Sequence, residues 1–186
     1  MSDSFRLRPA RTSDVAEIRR LVRPLAEERI LLEKEAVAYF ESLQEFTVAE
    51  DADGNVIGCG AVHVMWEDIA EVRTLATSAQ WRGHGVGKAL LERLLERARD
   101  LGVRRVFCLT FEVEFFRRGG FEVMADQTAV DPEVYSELLR STDDGVAEFL
   151  DLARVKQNTL GNTRMILEFD RNDTVPSAVE HPLTHP

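Results

Sequence analysis

The sequence predicts an α+β domain: a mixed, mostly antiparallel central sheet flanked by helices. Three observations carry the prediction. Three strand-like segments, Phe46–Glu50, Val56–Val64 and Ile69–Thr77, are separated only by the turn signals Asp53-Gly54 and Trp66-Glu67-Asp68, so they pair as antiparallel neighbours. A long amphipathic run follows, with Val86, Leu90, Leu91, Leu94, Leu95, Ala98 and Leu101 on one helical face. Beyond it Arg104–Thr110 is again strand-like and runs into the core, so strands and helices mix in one layer arrangement.

Element by element, Phe5–Arg8 is a short strand closed by Pro9. Thr12-Ser13-Asp14 offers N-cap residues for a helix bearing Val15, Ile18, Leu21 and Val22, which Pro24 ends or interrupts. A second helix covers about residues 34–43. After the three-strand meander comes the long helix, with Gly102 as its stop. Glu112–Arg118 is a short helix halted by Gly119-Gly120, Phe121–Met124 a short strand, Pro132–Arg140 a further helix and Arg164–Phe169 a last strand. From Asp170 onward Pro176, Pro182 and Pro186 and few apolar residues predict a disordered tail, giving a domain over 1–170 and a tail over 171–186.

Bulk properties exclude several classes. With 186 residues the chain can bury a full core without metal or disulfides. Asp and Glu total 33 against 23 Lys and Arg, a net charge of −10 that argues against nucleic-acid or anionic-membrane binding. It leaves room for an anionic small ligand in a local basic pocket. Cys59 and Cys108 sit in apolar stretches at no metal or redox spacing, which reads as free thiols in a reducing compartment. The start lacks a secretory pattern and no stretch is long enough to span a bilayer, so a cytoplasmic protein is expected. His181 and His185 lie in the expected tail, and no metal site is expected.

The stretch Gln80-Trp81-Arg82-Gly83-His84-Gly85-Val86-Gly87-Lys88 joins a strand to the long helix. Its alternating glycines allow a tight turn with N–H groups aimed one way, and the helix start adds unsatisfied donors and partial positive charge. Together they form a phosphate cradle, with Arg82, His84 and Lys88 supplying charge. A Walker A loop would need Gly at Arg82 and Ser or Thr at Ala89; a dinucleotide fingerprint would need Gly at Lys88. Both patterns fail.

The surviving Gln-x-x-Gly-x-Gly pattern resembles the GNAT superfamily of acetyl-CoA-dependent N-acetyltransferases. Phe115-Phe116-Arg117-Arg118-Gly119-Gly120-Phe121 is similar to that family's aromatic-x-x-x-Gly-Phe block. Longer stretches, Glu71–Thr77, Leu109–Glu112, Asn158–Arg164, Ile30–Lys34 and Gly58–Ala61, resemble the short single-domain N-acetylglutamate synthases of actinobacteria over about residues 6–169. The resemblance implies acetyl-CoA as cosubstrate, its pyrophosphate on Arg82, Gly83, His84, Gly85, Val86, Gly87 and Lys88. Its acetyl and pantetheine part would lie along Leu75, Ala76 and Thr77, with Phe115 and Phe116 beside the arm. The implied acceptor is L-glutamate, in the first step of arginine synthesis. Another small amine, glutamine, or a non-catalytic acetyl-CoA-binding module are the alternatives, and a homodimer is allowed.

Amine attack on a thioester needs a base, because the amine arrives protonated. Glu71 is the candidate, set against the alternative of a structural Glu71–Arg73 pair. Strand period two puts Glu71, Arg73, Leu75 and Thr77 on one face. The Leu75 or Ala76 N–H is a candidate oxyanion donor. Arg73, Lys34 and Arg164, with Thr163 as a neutral donor, are candidates for the acceptor's carboxylates. Phe116 stands where many family members carry a Tyr acid. His63 reads as a satisfied core histidine, and Trp66 and Trp81 as packing or loop anchors.

Overall fold

The computed structural model describes residues 4–31, 34–124, 131–150 and 161–170. The expected tail and Asn158–Leu160 lie outside the described residues. In chain order the elements are β1 (Phe5–Pro9), α1 (Val15–Glu27), α2 (Ala36–Glu41), β2 (Phe46–Asp51), β3 (Val56–Trp66), β4 (Ile69–Thr77), α3 (Val86–Asp100), β5 (Arg105–Thr110), α4 (Val113–Arg118), β6 (Glu122–Val123), α5 (Pro132–Leu138), α6 (Asp144–Phe149) and β7 (Thr163–Glu168). One sheet of seven strands runs β1-β2-β3-β4-β5-β7-β6. Every neighbouring pair is antiparallel except β4–β5.

That single parallel pairing positions the site. Its register is short: Ile69 with Arg105, Ala70 with Val106, Glu71 with Phe107. Past Glu71, β4 stays paired only with β3, and β5 only with β7. The two strands separate and leave a cleft between their C-terminal halves. Burial follows the split, because Ile69–Val72 are buried while Arg73, Thr74, Leu75 and Thr77 are half-buried.

A β-bulge re-aims the side chains at the same place. Arg73 pairs with Ala61 and Ala76 with Cys59, so three steps on β4 match two on β3. Thr74 carries the irregularity at φ +58, a left-handed value that strains a β-branched residue. Strict alternation through Thr77 therefore fails. Ala76, not Leu75, continues the face of Arg73, joining Cys59 and Ala61 in the core under α1. Leu75 turns to the other face, where Gly60 makes room: a Cβ on Gly60 would lie 2.7 Å from Leu94 Cδ1 and 2.9 Å from Leu75 Cδ1.

The helices cover both faces. On one, α3 buries Val86, Leu90, Leu91, Leu94, Leu95 and Ala98 against β3, β4, β5 and β7. The opposite face has two covers. Val15, Ile18, Leu21 and Val22 of α1, with Tyr39 of α2, cover β2–β4. Leu138 of α5 and Val146 and Phe149 of α6 cover Met65, Ile69 and Phe107. Charged groups occupy the gap between these two apolar covers.

Two local outcomes differ from the sequence reading. Pro24 lies inside α1, exposed on its solvent side, where the carbonyl it strands can meet water. The helix ends instead at a Schellman turn: Arg29 sits at φ +59, Ile30 N–H donates to Leu25 C=O at 2.8 Å and Arg29 N–H to Ala26 C=O at 3.0 Å. The sequence reading also missed α6. Asp143 caps it, its Oδ1 accepting from Gly145 N–H at 2.8 Å.

Candidate active site

At the wide end of the cleft lies the glycine loop. Gly83 and Gly85 adopt φ +81 and +82, where a side chain would be strained, and Gly85 leads into α3. Ala89 N–H is bonded to Gly85 C=O, so the N–H groups of Val86, Gly87 and Lys88 start the helix without helical partners. Trp81 anchors the loop edge-on to Phe5 and His84, with ring centroids 6.4 and 5.7 Å apart. Lys88 is exposed and lies 3.6 Å from Glu92. A Cβ on Gly87 would meet Thr77 Oγ1 at 3.5 Å and the Phe115 ring at 3.7 Å, so the bare glycine leaves a channel between β4 and α4. Phe115 borders that channel. Phe116 points inward instead, edge-on to Phe115 and Phe121 in the core.

At the vertex, where the parallel ladder ends, Glu71 is 7% exposed. Among the described residues, its Oε2 has no hydrogen-bond partner. Burial raises its pKa to about 7, with Asp143 adding to the rise and Arg73, Lys34 and His63 opposing it. A carboxylate with that affinity for protons is a competent base near neutrality.

Arg73 sits two residues along the same strand, with Nη1 3.7 Å from Glu71 Oε2. Its closer partners are others. Nη1 donates to Asp143 Oδ2 at 2.9 Å and Nη2 to Glu45 Oε2 at 2.8 Å. Glu45 Oε1 in turn meets His63 Nδ1 at 2.7 Å, and His63 Nε2 lies 3.8 Å from Asp143 Oδ2. Glu45, His63, Asp143 and Arg73 thus close a ring beside Glu71. Burial opposes charge on both acids of the ring, yet His63 and Arg73 hold Glu45, and Arg73 holds Asp143, below the usual carboxylate range. Lys34 is half-buried within electrostatic reach of Arg73, Glu71, Asp143 and Glu45, and burial lowers its pKa.

The sequence-derived candidates are thus partly gathered and partly not. Lys34, Glu71 and Arg73 converge. Arg164 pairs with Leu109 on β7, on the face that carries Phe107 and Ile166, across the cleft. Thr163 pairs with Thr110 and alternates with Arg164, which puts it on the α3 face with Met165. Glu45 and Asp143 carry no signal in the sequence that singles them out as site residues, and His63 is satisfied, by Glu45, but half-buried in a charged cluster and not in the core. His63 stands directly across from Glu71 in the β3–β4 register. Counting back equally on both sides of the Trp66-Glu67-Asp68 turn links His63 to Glu71, and Thr142-Asp143-Asp144-Gly145 is a legible N-cap. Among the described residues, the cations expected to make this end basic are matched by acids: Lys34, Arg73 and His63 face Glu45, Glu71 and Asp143.

The opened sheet thus carries a glycine loop with open helix-start N–H groups at its mouth and a buried carboxylate at its vertex, the arrangement of an acetyltransferase fold. The chain belongs to the acetyltransferase (GNAT) family, whose pattern matches residues 14–121. It is 55% identical over 163 residues to an amino-acid acetyltransferase of Mycobacterium tuberculosis, covering 87% of this chain and 92% of that protein. An amino-acid acetyltransferase of Neisseria meningitidis is 34% identical over 122 residues, and the chain spans only 28% of its length. Among solved structures, Rv2747 of Mycobacterium tuberculosis, in complex with CoA and NLQ, matches with a TM-score of 0.83 and 54% identity over 88% of this chain and 99% of that one. N-acetylglutamate synthase of Neisseria gonorrhoeae, complexed with coenzyme A and N-acetyl-glutamate, matches with a TM-score of 0.71 and 25% identity over 92% of this chain and 36% of that one.

Proposed function

We propose that the chain is an amino-acid N-acetyltransferase that moves acetyl from acetyl-CoA to the α-amino group of L-glutamate, the reaction that opens arginine synthesis. The observation that carries the mechanism is the buried Glu71 carboxylate with an unpartnered oxygen at the vertex of the cleft. Acetyl-CoA supplies an activated thioester. The loop from Arg82 to Lys88 holds its pyrophosphate on the helix-start N–H groups of Val86, Gly87 and Lys88 and on local positive charge, and Gly87, Thr77 and Phe115 border the path of its arm.

Glu71 takes the proton from the acceptor ammonium, directly or through one water, so that the nitrogen lone pair can attack. Of the two candidate oxyanion donors, the Leu75 N–H at the bulge is favoured, because the Ala76 N–H is directed to the buried Cys59 thiol. The departing thiol, with a pKa of about 8.5 if it behaves as an ordinary thiol, leaves with little acid assistance. Phe116 offers no hydroxyl for that step. Lys34, Arg73 and Arg164 flank the space for the acceptor's carboxylates.

Glutamine is a second acceptor reading, favoured by one observation: both Arg73 Nη groups are already bonded to Glu45 and Asp143. A site balanced in this way accepts one carboxylate more readily than two. Free, buried Cys59 and Cys108 fit a reducing, cytoplasmic setting, and among the described residues no helix is long and apolar enough to cross a membrane. The test is thiol release from acetyl-CoA with L-glutamate and L-glutamine as acceptors. Release in step with acceptor concentration, abolished by Glu71→Gln, is the expected result. No release above background with either amino acid would defeat the proposal.

A further inference from the structure

We propose that Asp143 and Glu45 are positioning residues that keep hydrogen-bond donors away from Glu71, so that this carboxylate stays a strong proton acceptor. The inference rests on Glu71 being the base. The geometry is a competition for donors. Two donors lie beside Glu71: the Arg73 guanidinium and the first N–H groups of α6. Arg73 shares the face of Glu71 two residues along β4, and a direct ion pair between them would be the simplest outcome. Instead Arg73 stops 3.7 Å short, its Nη groups donated at 2.9 Å to Asp143 and 2.8 Å to Glu45.

The α6 donors are diverted in the same way. Gly145 presses so closely on Glu71 that a Cβ there would lie 2.1 Å from Oε2. Yet its N–H, and that of Val146 at 3.3 Å, go to Asp143 Oδ1. Asp143 thus spends one oxygen on each donor that could have bonded Glu71. Glu45 holds the other side of Arg73 and ties it to His63. What remains for Glu71 is a cation near enough to stabilise its charge and too far to bond it. A directly bonded carboxylate would give up its proton affinity and with it its strength as a base.

The charged and titratable groups facing Glu71 come from the elements around it: Arg73 on β4, His63 on β3, Lys34 before α2, Glu45 before β2 and Asp143 before α6, with Cys108 of β5 on the opposite face of the sheet but within electrostatic reach. Lys34, His63 and Arg73 lower its proton affinity and Asp143 raises it. Removing the Asp143 charge therefore acts twice in one direction: it deletes a repelling anion and releases Arg73 toward Glu71.

Asp143→Asn keeps an oxygen for the α6 cap and removes the acceptor for Arg73. Glu45→Gln replaces the charged acceptor of the other Nη by at most one neutral oxygen, loosening Arg73 from outside α6, so a folding defect in one variant leaves the second to decide. The readout is an infrared pH titration of the buried carboxyl, assigned by its disappearance in Glu71→Gln, beside the pH profile of kcat/KM. The titration midpoint is expected to fall by about one pH unit in Asp143→Asn, and in the same direction in Glu45→Gln. A midpoint unchanged or raised in the folded variants would overturn the proposal. A midpoint that falls while the acid limb of kcat/KM stays in place would uphold the positioning role and remove Glu71 from its role as base.

Discussion

Replacing Glu71 by Gln tests the electrostatics of the site through stability alone. Folding lifts the pKa of this carboxyl from 4.5 to about 7. For a group whose folded-state pKa is raised, the favourable contribution is present in full below the unfolded value and is lost as pH rises through the folded value. In the wild type the native state therefore loses about 3 kcal/mol between pH 4.5 and 8, the cost of holding Glu71 charged in the vertex. The glutamine variant has no charge to bury. Its amide inherits the missing partner of Oε2, a cost of about 1–3 kcal/mol that is the same at every pH. The diagnostic quantity is thus the difference in unfolding free energy, variant minus wild type, by urea titration at pH 5, 6, 7 and 8. It should climb by about 2.5 kcal/mol from pH 5 to pH 8, most steeply near pH 6, between the unfolded and folded pKa values, while acetyl transfer is abolished throughout. A flat difference, or one that falls with pH, would refute the view that Glu71 is a buried, under-bonded base.

Three further outcomes follow from packing. Gly145→Ala drives a methyl to 2.1 Å from Glu71 Oε2 and 3.0 Å from Asp143 Oδ1, so it should cost about 1–3 kcal/mol in thermal or urea unfolding and depress kcat with it. Gly85→Ala meets no atom within 4 Å but must hold φ +82, a strain of about 1–2 kcal/mol; the KM for acetyl-CoA should rise with little change in the acceptor's KM. Leu94→Ala empties a fully buried position on α3 and should destabilise by about 2–5 kcal/mol in urea, with substrate affinities intact in the folded fraction.

The meander of β2 to β4, the face of α3 and the glycine loop were legible because each is written locally, in turn residues, helical spacing or glycine positions. Even there the alternation broke at Thr74, because a bulge answers to packing of Leu75 over Gly60 and not to the strand's own sequence. Placement of β7 between β5 and β6 is a pairing across more than fifty residues, which no local pattern encodes. The charged ring shows the same division. Glu71 and Arg73 stood out as polar residues in a core strand, whereas Glu45, His63 and Asp143 come from three separate elements that only the folded chain brings together. The net charge of −10 gave no hint that the vertex is balanced between acids and bases.

The position of β7 also bears on how the molecule is made. It is the last strand in chain order among those described, yet it occupies an interior place in the sheet. Apart from the three-residue ladder with β4, β7 is the whole hydrogen-bonding complement of β5. A nascent chain synthesised as far as β6 therefore presents the edge of β5, and Phe107 without its later cover of Val146 and Phe149, the condition under which strands find wrong partners. Completion of the sheet waits for the arrival of Thr163–Glu168 from the ribosome. Stop codons ahead of this segment should be far more damaging to solubility than removal of the outermost strand, β1, at the opposite end of the chain.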